Sequence, residues 1–155
     1  MARPLSWFLT PLSILKVCEL VCLLLVIVFF IDGRIQWGAY SVIYVLAFLL
    51  AFGCVLTLLL HYFEVPKASN QLPWLQIELL WNTLGCVLCA AGCILLTWDW
   101  WQMRSGRNHH HATLAPRNIG EARWMRRVAI VAGSLLLAAC LFLLTLGRVK
   151  RTGLN

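Results

Sequence analysis

Four apolar runs, each long enough to cross a membrane as a helix, dominate the pattern of hydrophobic and polar positions. They extend over about 12–31, 39–62, 75–98 and 128–147. A membrane-spanning helix needs roughly 20 predominantly apolar residues, and without water in the hydrocarbon core each run must satisfy its own backbone hydrogen bonds as a helix. The pattern predicts an all-α integral membrane protein, a single domain over 1–155 built as an antiparallel bundle of four transmembrane helices.

The polar connections between these runs differ in length. The first contains Gly33 and Gly38 and is short enough to force a hairpin. The second, over 64–73, contains two prolines, which end one helix before the next begins. The third, over 99–127, is predicted to be a long polar loop that includes the consecutive histidines 109–111, with a short interfacial helix around 122–127 as an alternative. Most of the eight tryptophans lie near the ends of the runs, where Trp prefers the membrane–water interface.

Composition supports lipid as the surrounding solvent. Hydrophobic residues make up 61% of the 155-residue chain and charged residues 12%, whereas soluble domains have roughly 25% charged residues. The formal net charge is +7, and because the basic residues flank apolar runs, this charge favours anionic lipid head groups over nucleic acid. The basic residues are split almost evenly between the two predicted sides and therefore assign no orientation. All seven cysteines lie within apolar runs, so no disulfide framework is predicted.

Charged and polar residues within or beside the apolar runs are costly in lipid and usually face the interior of a bundle. Connectivity places six of them near the same side of the predicted bundle: Lys16, Glu19, His61, Glu78, Asn82 and Arg148. Lys16 and Glu19 are spaced i, i+3, so they can share a helix face. We predict that the six form a structural polar clamp. A proton or ion relay through Glu19 and Glu78 is the alternative, although the other half of the helices offers almost no polar group to continue it.

Small residues on the third and fourth runs predict close helix packing. Gly85, Cys89 and Gly92 follow one another at helical spacing, and Ala129 and Gly133 form a small-x-x-x-small pair, an arrangement that lets helices in lipid approach closely. A C-x-x-C ends at Cys89, but an apolar helix supplies neither the four ligands of zinc nor conditions for thiolate formation. We therefore expect no metal site and no cofactor, and we interpret the three histidines as part of a solvated loop.

The order of these elements is similar to that of a known family. The residues that carry the similarity are Lys16 and Glu19, Phe30-Ile31-Asp32-Gly33, Leu59-Leu60-His61-Tyr62-Phe63, Leu72-Pro73-Trp74, Glu78 and Asn82. Over nearly its whole length the chain resembles the MARVEL-domain family of four-helix membrane proteins, which includes MAL, plasmolipin and the chemokine-like-factor-type proteins. The resemblance implies an antiparallel bundle with cytosolic termini that acts in membrane apposition, vesicle trafficking or the organisation of sterol-rich domains. It implies no catalytic residues.

We predict a non-catalytic membrane-organising or vesicle-trafficking protein of MARVEL type, located in the plasma membrane or in vesicles and other endomembranes. Its expected partners are membrane lipids, with sterol among them, and other membrane proteins or further copies of the chain; nucleic acid is not expected. An auxiliary subunit of a channel, receptor or transporter is the second hypothesis, and a small proton-coupled transporter or membrane enzyme is the third. The sequence contains no phosphate-binding loop and no HExxH motif that would support catalysis.

Overall fold

The computed structural model describes residues 8–65, 73–107, 115–116 and 118–152. Four long helices account for most of them: α1 (Pro11–Phe30), α2 (Gly38–Tyr62), α3 (Trp74–Arg104) and α4 (Glu121–Thr152). Each helix is long and apolar enough to cross a membrane, which fits a multi-pass membrane protein. The predicted all-α class with four candidate membrane spans is therefore confirmed, and no strand occurs within these ranges.

Proline and glycine mark several helix ends. Pro11 lies in the first turn of α1, where a missing backbone N–H leaves no helical hydrogen bond unmade. At the end of α3, Gly106 adopts a φ of 71°, a left-handed conformation that glycine adopts without strain. Its N–H donates to the Met103 carbonyl at 3.1 Å, and the Arg107 N–H donates to the Gln102 carbonyl at 3.0 Å. These two bonds form a Schellman motif, which satisfies the last carbonyls of α3.

The third and fourth helices extend into the segment 99–127, which the hydropathy pattern predicts as a loop. Helix α3 continues to Arg104, and α4 begins at Glu121. The extension of α3 contains the buried Asp99, whose carboxylate has a hydrogen-bonded partner within the fold. In the first turns of α4, a carboxylate at Glu121 is favourable at a helix N-terminus, and Trp124 is fully buried. The predicted loop is thus helical at both ends, and its histidines 109–111 lie outside the described residues.

Helix α4 is central to the packing. It contacts both α3 and α1 extensively, α1 contacts α2, and α2 touches α3 at only a few positions. Large apolar side chains buried among the helices are Leu23, Val26, Leu96, Val131 and Phe142. Many other apolar side chains remain exposed on the outside of the helices, and contiguous apolar surface of this kind is typical of proteins that meet a membrane.

One tryptophan lies away from the helix ends, and a glycine explains its position. The indole of Trp81 on α3 packs against Gly53 on α2, where an added Cβ would come within 1.9 Å of the ring. The missing side chain therefore makes the space that the indole occupies. This contact joins α2 to α3, which touch each other at only a few positions.

The predicted packing residues on α3 face other parts of the chain. Gly85 and Cys89 are buried, and Gly92 is half-buried. An added Cβ at Gly85 would come within 2.8 Å of the Phe142 ring on α4, so the two helices approach closely here because residue 85 has no side chain. Dispersion contacts across such an approach stabilise helix pairs where no hydrophobic force acts between them.

The predicted small pair on α4 lies differently. Ala129 and Gly133 are exposed, and an added Cβ at Gly133 would meet nothing within 4 Å. The spacing identifies a small helix face but does not say in which direction that face points. Here it points outward and lines a shallow groove of about 250 Å³ beside Cys93 and Thr97 of α3. This pair therefore makes no close helix approach within the described part of the chain.

We expect Gly85→Leu to lower the free energy of unfolding by about 1–3 kcal/mol more than Gly133→Leu does, because overpacking a close contact pushes its neighbours apart. Thermal unfolding of the full chain in detergent micelles measures the difference. The higher helix propensity of Leu acts at both positions and cancels in the comparison. Equal unfolding temperatures for the two variants would contradict the packing of α3 on α4 at this site.

Candidate functional site

A buried ammonium group lies between α1 and α3, in the second and third turns of these helices. The Nζ atom of Lys16 lies 2.6 Å from Oδ1 of Asn82, 3.0 Å from Oε1 of Glu78 and 3.3 Å from Oε2 of Glu19. The Lys16 side chain is only 4% exposed. Since an ammonium group has three N–H donors, each of them has an acceptor here, and the charge is paired with two carboxylates.

The remaining helices contribute to the same group. The Thr145 hydroxyl on α4 donates to Oε1 of Glu19 at 2.6 Å, and the Cys54 thiol on α2 lies 3.6 Å from Oε2. On α3, the Asn82 amide donates to Oε1 of Glu78 at 3.0 Å and to the Glu78 carbonyl at 2.7 Å. We refer to these six side chains as the polar cluster: Lys16, Glu19, Cys54, Glu78, Asn82 and Thr145. All four helices are therefore joined through one hydrogen-bonded network.

The six residues selected from the sequence occupy three kinds of position. Lys16, Glu19, Glu78 and Asn82 lie in direct contact within the polar cluster. His61 lines a small cavity beside Lys16 and Glu78. Arg148 lies three residues beyond Thr145 on α4 and is partly exposed. The hydropathy pattern did not single out Cys54 or Thr145, because one thiol or hydroxyl costs little in an apolar run. The position of Thr145 one turn before Arg148 was the one feature of the sequence that could have placed it in the polar cluster.

A second buried polar contact lies at the opposite end of these helices. The Tyr40 hydroxyl at the start of α2 donates to the carboxylate of Asp99 near the end of α3, and both side chains are buried. The Tyr40 ring packs against three aromatic rings, with centroid distances of 4.9 Å to Phe30, 5.3 Å to Trp37 and 5.6 Å to Trp124. This arrangement keeps the carboxylate in an enclosed, largely aromatic environment.

An ion pair at the surface lies beside the aromatic rings that surround Tyr40. Arg127 near the start of α4 donates to Asp32 in the turn after α1 at 2.7 Å. In the same turn Gly33 lies under the indole of Trp124, and an added Cβ would come within 2.0 Å of the ring. Tyr40 and Asp99 did not stand out in the sequence, because each lies at a predicted boundary where polar residues are common. Asp32 was named there only as part of the run that resembles the MARVEL-domain family.

An apolar groove of about 360 Å³ lies between α2 and α3, where these helices diverge. Its walls are formed by Ala39, Val42, Ile43, Leu46, Ala47 and Leu50 of α2 and by Leu88, Cys89, Ala91, Gly92 and Leu95 of α3, with Leu135 of α4 also lining it. The Tyr40–Asp99 bond bounds one end and the Trp81–Gly53 contact bounds the other. The thirteen helical steps from residue 40 to residue 53 correspond to a groove length of roughly 20 Å.

The cysteines do not form a ligand set within the described chain. Cys89 is buried on the wall of the apolar groove, and Cys86 and Cys93 are partly exposed. No group of three or more His, Cys, Asp or Glu residues that could hold a metal ion occurs among the described residues. The C-x-x-C pattern therefore belongs, in this structure, to helix packing and to the groove wall.

Comparisons with protein families, with characterised proteins and with solved structures find no match to this chain. The resemblance to the MARVEL-domain family therefore stays a proposal.

We expect Tyr40→Phe to lower the free energy of unfolding by about 1–3 kcal/mol, because a buried carboxylate loses a hydrogen-bond donor. Tyr44→Phe is the matched control, since Tyr44 is partly exposed and its ring lies beneath the Arg34 guanidinium, at 5.2 Å. Thermal unfolding in micelles gives both values. A Tyr40→Phe variant as stable as Tyr44→Phe would contradict a stabilising Tyr40–Asp99 bond.

Proposed function

We propose that this chain is a non-catalytic membrane-organising or trafficking protein of MARVEL type that binds membrane lipid, with sterol among the ligands, and partner membrane proteins. In this proposal the four helices cross the bilayer as an antiparallel bundle, with both termini on the cytosolic side, in the plasma membrane or in vesicles and endomembranes. The polar cluster then lies near one face of the membrane and the Tyr40–Asp99 bond near the other.

The observation that carries the proposal is the apolar groove between α2 and α3. Lipid tails are as apolar as leucine, so selective lipid binding requires a shape that offers more dispersion contact than a flat helix surface does. A volume of about 360 Å³ lies within the range of small-molecule sites. Small side chains such as Ala47, Ala91 and Gly92 make the groove deep enough for an acyl chain or a sterol ring system.

The distribution of buried polar groups supports a structural role for the polar cluster over ion transport. The cluster and the Tyr40–Asp99 bond lie at opposite ends of the helices. The side chains buried between them include the apolar Leu23, Val26 and Ala138, and the Ser134 hydroxyl on α4 is a single buried polar group there. A proton or ion relay needs polar groups through the middle of the membrane. The apolar side chains at mid-height therefore favour a lipid-organising protein over a transporter.

One observation favours the second hypothesis, an auxiliary subunit of a channel, receptor or transporter. Ala129 and Gly133 present an exposed small-x-x-x-small face beside the shallow groove on α3 and α4. Such a face lets the helix of another membrane protein approach closely. The apolar groove and this face are separate surfaces, so substitutions can test them independently.

We expect a photoactivatable sterol and a phosphatidylcholine with a diazirine in its acyl chain to label α2 and α3 within the apolar groove. Ala91→Phe fills the groove from an exposed position, so it should reduce labelling several-fold. Leu137→Phe adds bulk at an exposed position on α4 and serves as the matched control. Mass spectrometry of the cross-linked peptides locates the label.

Labelling spread evenly over all four helices, and unchanged by Ala91→Phe, would contradict selective lipid binding in the groove. Gly133→Leu separates the two hypotheses. Loss of a co-purified stoichiometric partner protein in Gly133→Leu, with labelling retained, would favour the auxiliary subunit.

A further inference from the structure

We infer that the shallow groove between α3 and α4 binds one acyl chain of an anionic phospholipid, whose phosphate is held by Arg104 and Arg126. The groove has a volume of about 250 Å³. Its walls include Thr97 and Trp100 of α3 and Ala129, Gly133 and Leu136 of α4. It is separate from the apolar groove between α2 and α3, so this site does not rest on the proposed function.

The interior of the shallow groove suits an acyl chain. The groove extends roughly 10 Å along α4, from Ala129 to Leu136. The Thr97 hydroxyl on the opposite wall donates to the Cys93 carbonyl of its own helix at 2.8 Å, so its hydrogen is already used. Dispersion contacts with apolar side chains therefore dominate in the groove, and an acyl chain gains these contacts.

Two arginines lie at the end of the shallow groove where α3 ends and α4 begins. The Arg104 guanidinium lies over the Trp100 ring, 5.5 Å from its centroid, and this ring lines the groove. Arg126 lies three residues before Ala129, and residues three apart are neighbours on a helix surface. The Nε atom of Arg126 donates to the Ala122 carbonyl at 3.3 Å, which directs this side chain toward the start of α4. A lipid whose acyl chain occupies the groove would have its phosphate at this end.

The positive charge of these two arginines is not compensated within the described part of the chain. Both side chains are exposed, and neither forms an ion pair with a described carboxylate. The Asp32 carboxylate pairs instead with Arg127. Guanidinium groups bind phosphate through parallel N–H donors, and basic pockets between membrane-spanning helices bind anionic lipid head groups. An anionic phospholipid supplies the opposite charge, whichever side of the membrane this end faces.

The same charges disfavour a helix of a partner protein on this face. A helix packed on Ala129 and Gly133 would cover the ends of Arg104 and Arg126, and a charge removed from water without a partner is costly. A phospholipid meets both requirements in one molecule, because its phosphate lies at the membrane surface and its acyl chain lies below. The shallow groove is therefore assigned to lipid, and a protein helix is an outcome of the test.

The test is native mass spectrometry of the full chain in a non-ionic detergent, with phosphatidylglycerol as the probe, because the phosphate is the only charge on this lipid. We expect the chain to bind it about tenfold more tightly than diacylglycerol with the same acyl chains, which lacks the phosphate. Arg104→Gln and Arg126→Gln should each weaken phosphatidylglycerol binding roughly tenfold, the loss expected for a charge-assisted hydrogen bond. Gly133→Leu fills the groove from an exposed position and should also weaken binding.

Arg34→Gln is the matched control. Arg34 is exposed at the same end of the bundle, and its guanidinium lies over an aromatic ring as that of Arg104 does, 5.2 Å from the centroid of Tyr44. It does not line the shallow groove. Its replacement removes the same charge and should leave the affinity for phosphatidylglycerol unchanged.

Equal losses of affinity in Arg34→Gln and Arg104→Gln would overturn the proposal, because binding would then follow total charge alone. Equal binding of phosphatidylglycerol and diacylglycerol would also overturn it. So would displacement of the lipid by an equal concentration of inorganic phosphate, which would assign the arginines to a soluble anion. A co-purified membrane protein that is lost in Gly133→Leu, with the affinity for phosphatidylglycerol unchanged, would assign this face to a protein helix instead. Cross-linking within the apolar groove reports on other residues, so failure of the proposed function is distinguishable from each of these outcomes.

Discussion

The burial of the Lys16 ammonium is the constraint on which the rest of the structure depends. A charge removed from water costs several kcal/mol unless close partners compensate it. Glu19 and Glu78 supply the opposite charge, and Asn82 supplies the third acceptor. This compensation requires the start of α1 and the start of α3 to lie at the same height, so one buried side chain sets the relative register of two helices that are distant in sequence.

The same register explains the remaining contacts. Thr145 brings α4 to the height of Glu19, and Cys54 brings α2 beside it. With the polar cluster fixed at one end, Trp81 meets Gly53 beside it, and Tyr40 meets Asp99 at the other end. Between these last two contacts α2 and α3 remain apart, which creates the apolar groove. The groove is thus a consequence of where the polar and close contacts occur.

Much of the fold could be predicted from the sequence, because long apolar runs have a simple meaning in lipid. The four candidate spans follow from hydropathy, and charged residues such as Lys16 and Glu78 stand out against apolar surroundings. The register could not be predicted, since it depends on weakly polar side chains such as Thr145 and Tyr40 that hydropathy tolerates anywhere.

Helix ends and helix faces were harder to predict. Asp99 was assigned to a loop because a lone carboxylate after an apolar run resembles a boundary, whereas its burial beside Tyr40 lets α3 continue. The spacing of Ala129 and Gly133 identifies a small face without its direction, and in this structure that face is exposed. Hydropathy reports the cost of exposing a residue to lipid. Tertiary contacts decide whether the side chain faces the interior of the bundle or its outer surface.

A double-mutant cycle between Lys16 and Glu78 tests this account most directly. Lys16→Met, Glu78→Gln and the double variant are unfolded in mixed micelles, and the free energies of unfolding are compared with that of the unaltered chain. If the buried ion pair sets the register, each single change is strongly destabilising. The two effects are then non-additive by about 1–3 kcal/mol, because the second change removes a charge that the first has already left unmatched. Effects that add to within about 0.5 kcal/mol would show two independent side chains and would contradict the account.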